Sequence, residues 1–298
     1  MHRWIRRGLW TAAAIALLAG GAVGAGTLLA EQKMNRRIEI LVSPLSLRSD
    51  AASLDRGRYL FGSRGCADCH GADGGGRSFI DDGHGLHVAG PNISPGAGNV
   101  VSAYRANDWE RTLRHGVKPD GRPLMIMPAE DYNRLTDDDI VAIVAYVKSL
   151  PPVAGRGAVI ELPLPVRALY GYGLIKDAAA KIDHRLPPAE PVPEGVTIEH
   201  GRYVANMCVG CHGPKLAGGR IPGAPPDWPA AADLRPGSQS VLVRYPEAES
   251  LMHMFKSGRR PDGSKVQVMP FEALGALNET DARALHLYLK NLAPQGAG

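Results

Sequence analysis

Apolar and polar positions change character several times along this chain. Gly8 to Ala30 is an uncharged run of 23 residues, long enough to cross a bilayer as a helix. In "TDDDIVAIVAYVKSL" the apolar residues Ile140, Ile143, Val144 and Val147 recur at helical spacing, and Leu285, Leu287 and Leu289 do so less regularly in "NETDARALHLYLKNL". Thr136 with Asp139, and Asn278 with Asp281, predict capped starts for these two helices. Two further helical stretches, "NDWERTLRHG" and "PEAESLMHMFKSG", each stop at a glycine. Between the two halves lie Pro151, Pro152, Pro163, Pro165, Pro187, Pro188, Pro191 and Pro193. That density favours extended or semi-rigid chain over a third core, with "VRALYGYGLIKDAAAKI" as a short helix packed on one domain.

The helical pattern occurs twice. "PDGRPLMIMPAE" (Pro119 to Glu130) aligns without a gap on "PDGSKVQVMPFE" (Pro261 to Glu272), 142 residues further on. "CADCHG" from Cys66 returns as "CVGCHG" from Cys208 at the same displacement, as does Tyr146 at Tyr288, and Gly-Arg-Tyr precedes both cysteine motifs. A chain of 298 residues is long enough for two domains. The division expected is an N-terminal segment 1–37, a tether 38–53, a first domain 54–150, a Pro-rich linker 151–195 and a second domain 196–294.

Charge refines this picture. The formal net charge is +4, but residues 1–37 alone carry +5, which leaves −1 on residues 38–298. A nucleic-acid binder needs a basic patch on its folded part, and none is indicated here. Arg3, Arg6 and Arg7 before the apolar run favour a cytoplasmic N-terminus with the remainder exported. The competing reading is a cleaved secretory signal with "GAVGAG" as its cleavage region; the length of the run favours a retained anchor. "RRIEILVSPLSLRSD" then reads as an extended tether lifting the first domain off the membrane.

All four cysteines lie in two Cys-x-x-Cys-His motifs. Cys66 and Cys69 on one helical turn face the same way, and His70 follows; Cys208, Cys211 and His212 repeat the arrangement. CxxC alone also suits a redox dithiol or half a zinc site. The added histidine, present twice in an exported chain, points to covalent attachment of c-type haem. Each iron then has His70 or His212 as one axial ligand and lacks a second. His70 to Met127 and His212 to Met269 are both 57 residues apart, and Pro follows each methionine. A thioether binds haem iron well and raises its potential, so Met127 and Met269 are the candidates. Met125 has Gln267 as its counterpart, and Met207, Met252 and Met254 have no counterpart methionine; these read as packing residues. His84 and His87 have no equivalent in the second copy and read as loop residues. His115 and His253 read as surface or propionate neighbours.

With "GRYL…CADCHG", "GPNISP", "RHGVKPDGRPL…MP" and "LTDDDIVAIVAYVKSLPPV" in the first copy, and "GRYV…CVGCHG", "SGRRPDG…MP" and "LYLKNL" in the second, the chain resembles class I cytochromes c. More specifically, it resembles the cytochrome c subunits of bacterial periplasmic alcohol, aldehyde and gluconate dehydrogenases. The resemblance implies a mainly α fold: two tandem class I cytochrome c domains after an N-terminal transmembrane helix, holding two covalent haems c. Such subunits commonly carry three haems, and "GPNISPGAGNV" lacks their fuller loop. The implied activity is electron transfer on the periplasmic side of the inner membrane, without a catalytic site in the chain. The donor would be a dehydrogenase or quinol-oxidising complex; the acceptor would be a soluble cytochrome, a copper protein or a terminal oxidase. A soluble periplasmic form after signal cleavage is the alternative location. Alternative functions are a dihaem peroxidase, which needs one iron that opens, and the dihaem subunit of a cbb-type oxidase.

Overall fold

The computed structural model describes residues 2–221, 223–225, 227–238 and 240–294. The first helix, α1 (His2–Asn35), carries the apolar run and continues past it. The first half holds α2 (Ala51–Ser63), α3 (Cys66–His70), strands β1 (Ser78–Asp81) and β2 (His87–Ala89), then α4 (Ala106–His115), α5 (Ala129–Tyr132) and α6 (Asp137–Ser149). Strand β3 (Val159–Glu161) and α7 (Leu164–Gly171) follow in the Pro-rich stretch. The second half holds α8 (Ile198–Val204), α9 (Val209–His212), α10 (Ala248–Ser257), α11 (Phe271–Gly275) and α12 (Glu279–Lys290).

The two halves repeat each other in local detail. Thr136 and Asn278 cap α6 and α12 through the backbone N–H groups of Asp139 and Asp281. Each half is built on a crossing of its first and last helices, α2 on α6 and α8 on α12. A glycine makes each crossing possible. A Cβ on Gly57 would stand 1.9 Å from the carbonyl oxygen of Ala142, and one on Gly201 would stand 2.0 Å from that of Ala284. Leu60, Phe61, Trp109, Ile140 and Val144 centre one core; Val204, Leu251, Phe255, Leu285 and Leu289 centre the other. Helix α6 exceeds the expected one-sided stripe, since Val141, Ala142 and Ala145 are buried as well. One cause is the second half, whose Tyr203 joins the first core.

The halves pack directly against each other through a reciprocal exchange. Tyr59 of α2 donates its hydroxyl to Asp281 Oδ2 of α12 at 2.6 Å, and Tyr203 of α8 donates to Asp139 Oδ2 of α6 at 2.5 Å. The capping residues join in, with Asn278 N donating to the Tyr59 hydroxyl and Thr136 N to that of Tyr203. Equivalent residues thus trade partners across the junction, as a local two-fold arrangement requires.

Two expectations are corrected. Residues 36–50 are extended, yet they lie on the first half and do not lift it: Ile38 N donates to Gly121 O at 2.8 Å, and Leu45 is buried in the first core. The Pro-rich stretch is likewise more than a spacer. Its β3 completes an antiparallel sheet in the order β1-β2-β3, and Asn92 Nδ2 of the first half donates to Val153 O at 2.8 Å. Its helix α7 packs on α1, not on the core of either half, and Asp177 beyond it is fully buried against Arg36. Proline restricts the backbone here without preventing burial.

Gly57→Ala or Gly201→Ala should force a helix crossing apart at a cost of about 3 kcal/mol, lowering the thermal midpoint by about 5–10 °C. Gly20→Ala, where nothing lies within 4 Å of the added carbon, should leave the midpoint unchanged in the same calorimetric scan.

Candidate haem-attachment sites

The first motif occupies a single helical turn. Gly65 enters it with φ 78° and Gly71 leaves it with φ 77°, both left-handed conformations that glycine takes without steric cost. After the turn, Gly76 N donates to His70 O at 2.8 Å and Arg77 N to Cys69 O at 3.1 Å. The second motif does the same: Gly213 follows with φ 75°, and Gly218 N donates to His212 O at 2.9 Å. The copies differ in one informative place. Gly74 of the first half (φ 73°) corresponds to Leu216 of the second, a buried leucine at φ 53°. Their carbonyls accept from Ile93 N and Leu234 N respectively, so the shared backbone path holds leucine in a conformation it rarely adopts.

Each histidine is oriented by one backbone carbonyl. His70 Nδ1 lies 2.9 Å from Pro91 O and His212 Nδ1 lies 2.8 Å from Ala232 O. A carbonyl only accepts, so Nδ1 is the protonated nitrogen and Nε2 keeps its lone pair for a metal. Burial holds both imidazoles below their ordinary pKa, against the opposing effect of that hydrogen bond, which favours the neutral ligating form. The thiols are shifted the other way. Burial pushes Cys66 and Cys208 up to about 12 and Cys69 up to about 11. A redox dithiol needs a thiol of depressed pKa, and burial shifts these thiols upward, that of the more exposed Cys211 included. Nor is there a cluster of three or more His, Cys, Asp or Glu suited to a metal ion among the described residues, which removes the paired-CxxC zinc reading.

In the first half, Cys66, Cys69, His70 and Met127 line one apolar cavity, with Tyr104 and Trp109 on its wall. Besides this lining, one observation suits a haem in the cavity. Trp109 Nε1 is buried with no hydrogen-bond partner, so a donor is available to an acceptor such as a propionate. Gly90 crosses so close to the motif that a Cβ there would stand 2.0 Å from Cys69 O. Met125 lines the same cavity, and the sheet adds Val88 and Ile160, a wall that the sequence pattern did not indicate. The apolar pairs Phe79-Ile80 and Val159-Ile160, in otherwise polar or Pro-rich surroundings, are the signals in hindsight. In the second half Cys208 and Met269 pack against one core together with Met207 and Met252. The loops bearing the two methionines match closely, with Pro128 at φ −78° and Pro270 at φ −79°, and with Ala129 N and Phe271 N donating to Met127 O and Met269 O.

The other histidines lie elsewhere. His84 and His87 sit on the β1–β2 hairpin, outside the cavity lining. His253 is exposed on α10. His115, expected at the surface or beside a propionate, is instead buried with its Nδ1 3.1 Å from that of His184.

Both attachment turns touch the opposite half. Arg64, two residues before Cys66, is buried and donates to Asp281 Oδ2 at 2.8 Å; His200 Nε2 lies 2.7 Å from Asp281 Oδ1. Tyr132 donates to the backbone oxygen of Arg64 at 3.0 Å, fixing the entry to the first motif. On the other side Asp131 accepts from Gly210 N, inside the second motif, at 2.8 Å. Burial raises the Asp131 carboxyl well above the usual carboxylate range despite that hydrogen bond. At Asp281 burial also acts upward, but the charge of Arg64 and hydrogen bonds from Tyr59, Arg64 and His200 outweigh it and hold the carboxyl below its ordinary value.

Residues 54–151 match the family model described as "Cytochrome c". Across 84% of its length the chain is 30% identical to the fructose dehydrogenase cytochrome subunit of Gluconobacter japonicus, covering 54% of that protein. It is 26% identical to the gluconate 2-dehydrogenase cytochrome c subunit of Pantoea cypripedii, over 84% of this chain and 62% of the relative. A "diheme cytochrome c-type" protein of Cereibacter sphaeroides is 27% identical over 80% of this chain and 85% of its own length. The chain therefore spans roughly half to three-fifths of the two dehydrogenase subunits and most of the dihaem relative.

Asp281→Asn should cost about 3–5 kcal/mol at pH 7, since it leaves the Arg64 charge buried without its counter-ion. A carboxyl whose folded pKa is depressed contributes fully above the ordinary value of 3.8 and loses that contribution as pH falls through the lower folded value. Urea midpoints measured from pH 7 down to pH 2 should therefore converge between wild type and variant at the acid end. A constant gap would show that this carboxylate carries no pH-linked stability.

Proposed function

We propose, from a chain that carries a cytochrome c domain at residues 54–151, that the whole molecule is a membrane-anchored dihaem electron carrier. The observation that carries this reading is the duplication. Both motifs share the positive-φ glycine after the histidine, the carbonyl-held histidine and the Met-Pro loop at one displacement. In this reading residues 54–150 and 196–294 are two cytochrome c domains. Cys66 and Cys69, and Cys208 and Cys211, hold haem c by thioether bonds; His70 with Met127, and His212 with Met269, ligate the two irons. When bound, haem supplies a one-electron couple whose potential is set by its axial ligands and surroundings.

The chain's own residues keep that chemistry confined. Pro91 O and Ala232 O orient the histidines, so the ligating nitrogen is fixed before and after electron transfer. The apolar walls of the first cavity exclude water from the ligand sphere. Were His70 with Met127 and His212 with Met269 to hold the irons, no coordination site would be left for a substrate, which separates this reading from a peroxidase. The direct packing of the two halves, with each attachment turn touching the other half, supports passage of electrons between them. The relatives named as subunits of fructose and gluconate dehydrogenases support a dehydrogenase as donor. A soluble cytochrome, copper protein or terminal oxidase would be the acceptor, on the periplasmic side of a membrane held by α1.

A redox titration of the purified protein, with haem counted in the same sample, tests the reading. Two low-spin haems of high potential are expected, each with the weak far-red band of Met–iron ligation. Met127→Ala should keep both haems, lower one potential and open one iron to carbon monoxide, while Met125→Ala should leave both spectra intact. A high-spin haem in the unmodified protein that binds peroxide would overturn the carrier assignment.

A further inference from the structure

The packing of α7 against α1 reaches deeper than a support for the folded halves requires. The two backbones touch: a Cβ on Gly171 would stand 1.9 Å from Gly26 O, and one on Gly26 would stand 2.7 Å from Ala168 Cβ. Beyond the helix, Tyr172 donates its hydroxyl to Ala22 O at 2.6 Å. Ala22 precedes Glu31, the first charged residue after the apolar run, by nine residues, or about 13 Å along a helix. Further polar contacts tie the segment to the charged end of α1. Arg167 pairs with Glu31 at 3.4 Å, and Lys33 Nζ donates to Tyr170 O at 2.9 Å with its charge over the Tyr170 ring. One end of the segment therefore meets the charged end of α1, while the other descends along its apolar part.

The descending end leaves apolar surface uncovered. Leu169, Tyr172 and Leu174 are 41%, 50% and 72% exposed, although Tyr172 reaches Ala22 within the apolar run of α1. An exposed apolar group of this kind marks a contact surface. Its composition, aliphatic side chains with a tyrosine near a row of basic groups, suits the boundary between acyl chains and headgroups.

We infer that the turn Leu169–Leu174 is a second membrane contact, immersed in the same lipid leaflet as the outer end of α1. The inference rests on α1 being a retained membrane span. A single helix is free to rotate and tilt in a bilayer; a second immersed element, clamped to it through Gly26 and Arg36–Asp177, removes that freedom. The occupant is lipid, because Gly171 and Tyr172 meet α1 at Gly26 and Ala22, inside its apolar run and before its first charged residue.

The test uses the full haem-loaded chain in nanodiscs of phosphatidylethanolamine and phosphatidylglycerol. Leu169→p-benzoylphenylalanine and Leu174→p-benzoylphenylalanine are irradiated, with the same replacement at Leu18 in α1 and at exposed Val243 in the second half as references. Intact mass should rise by one phospholipid at Leu169, Leu174 and Leu18 and stay unchanged at Val243. Adducts at Leu18 with none at Leu169 or Leu174 overturn the inference while leaving the anchor in place, and equal labelling at Val243 overturns it too. No adduct at Leu18 overturns the anchor reading itself, and the second contact with it.

Discussion

Two carboxylates removed from water, Asp139 and Asp281, organise this molecule. A buried charge is tolerated only when paired and hydrogen-bonded, and each of these draws its partners from both halves. Asp139 takes Nε and Nη2 of Arg56 from its own half and the Tyr203 hydroxyl from the other. Asp281 takes His200 from its own half and Tyr59 and Arg64 from the other. Neither half can satisfy its own carboxylate fully while it stands alone. The glycine crossings, the capped helices and the position of each cysteine turn are arranged around that requirement.

The symmetry is broken where charge is placed. Arg56 corresponds to His200, so one carboxylate faces a permanent cation and the other an imidazole. Arg64 supplies the missing cation from across the junction, in a segment where the first copy has two more residues between Tyr and Cys than the second. Asp131, inside the reach of the second motif, corresponds to Ala273, which packs near Gly65 at the first. The two candidate redox sites therefore share a backbone plan but stand in different electrostatic surroundings, a physical basis for unequal potentials.

The sequence displayed what depends on residue type and local spacing. CxxCH, the Met-Pro loops and the capped helices are short-range patterns, their recurrence 142 residues on is read by comparing them, and the helical architecture follows. Contacts made at long range were not legible. Tyr59 and Asp281 are 222 residues apart, and nothing local distinguishes Tyr59 from any tyrosine on a half-buried helix face. Strand β3 has only three residues in a proline-rich setting, so its role in walling the first cavity emerges only from pairing with β2. The burial of His115 against His184 is similar, since the stretch that covers it looked like spacer. Leu216 is the opposite case: its left-handed backbone became understandable only when aligned with Gly74, through a repeat visible in the sequence.

The Arg36–Asp177 pair, with Tyr170 donating to the same carboxylate at 2.8 Å, bears on how a partner would meet this protein. A globule on a slack leash sweeps a volume and samples every approach angle. Here the leash is absent, because α1 passes straight into buried contacts of the folded body. For a chain anchored as proposed, the search for a partner then becomes two-dimensional. Lateral drift in the membrane plane sets how often collisions occur, and the fixed height and azimuth of the body decide which of them can be productive.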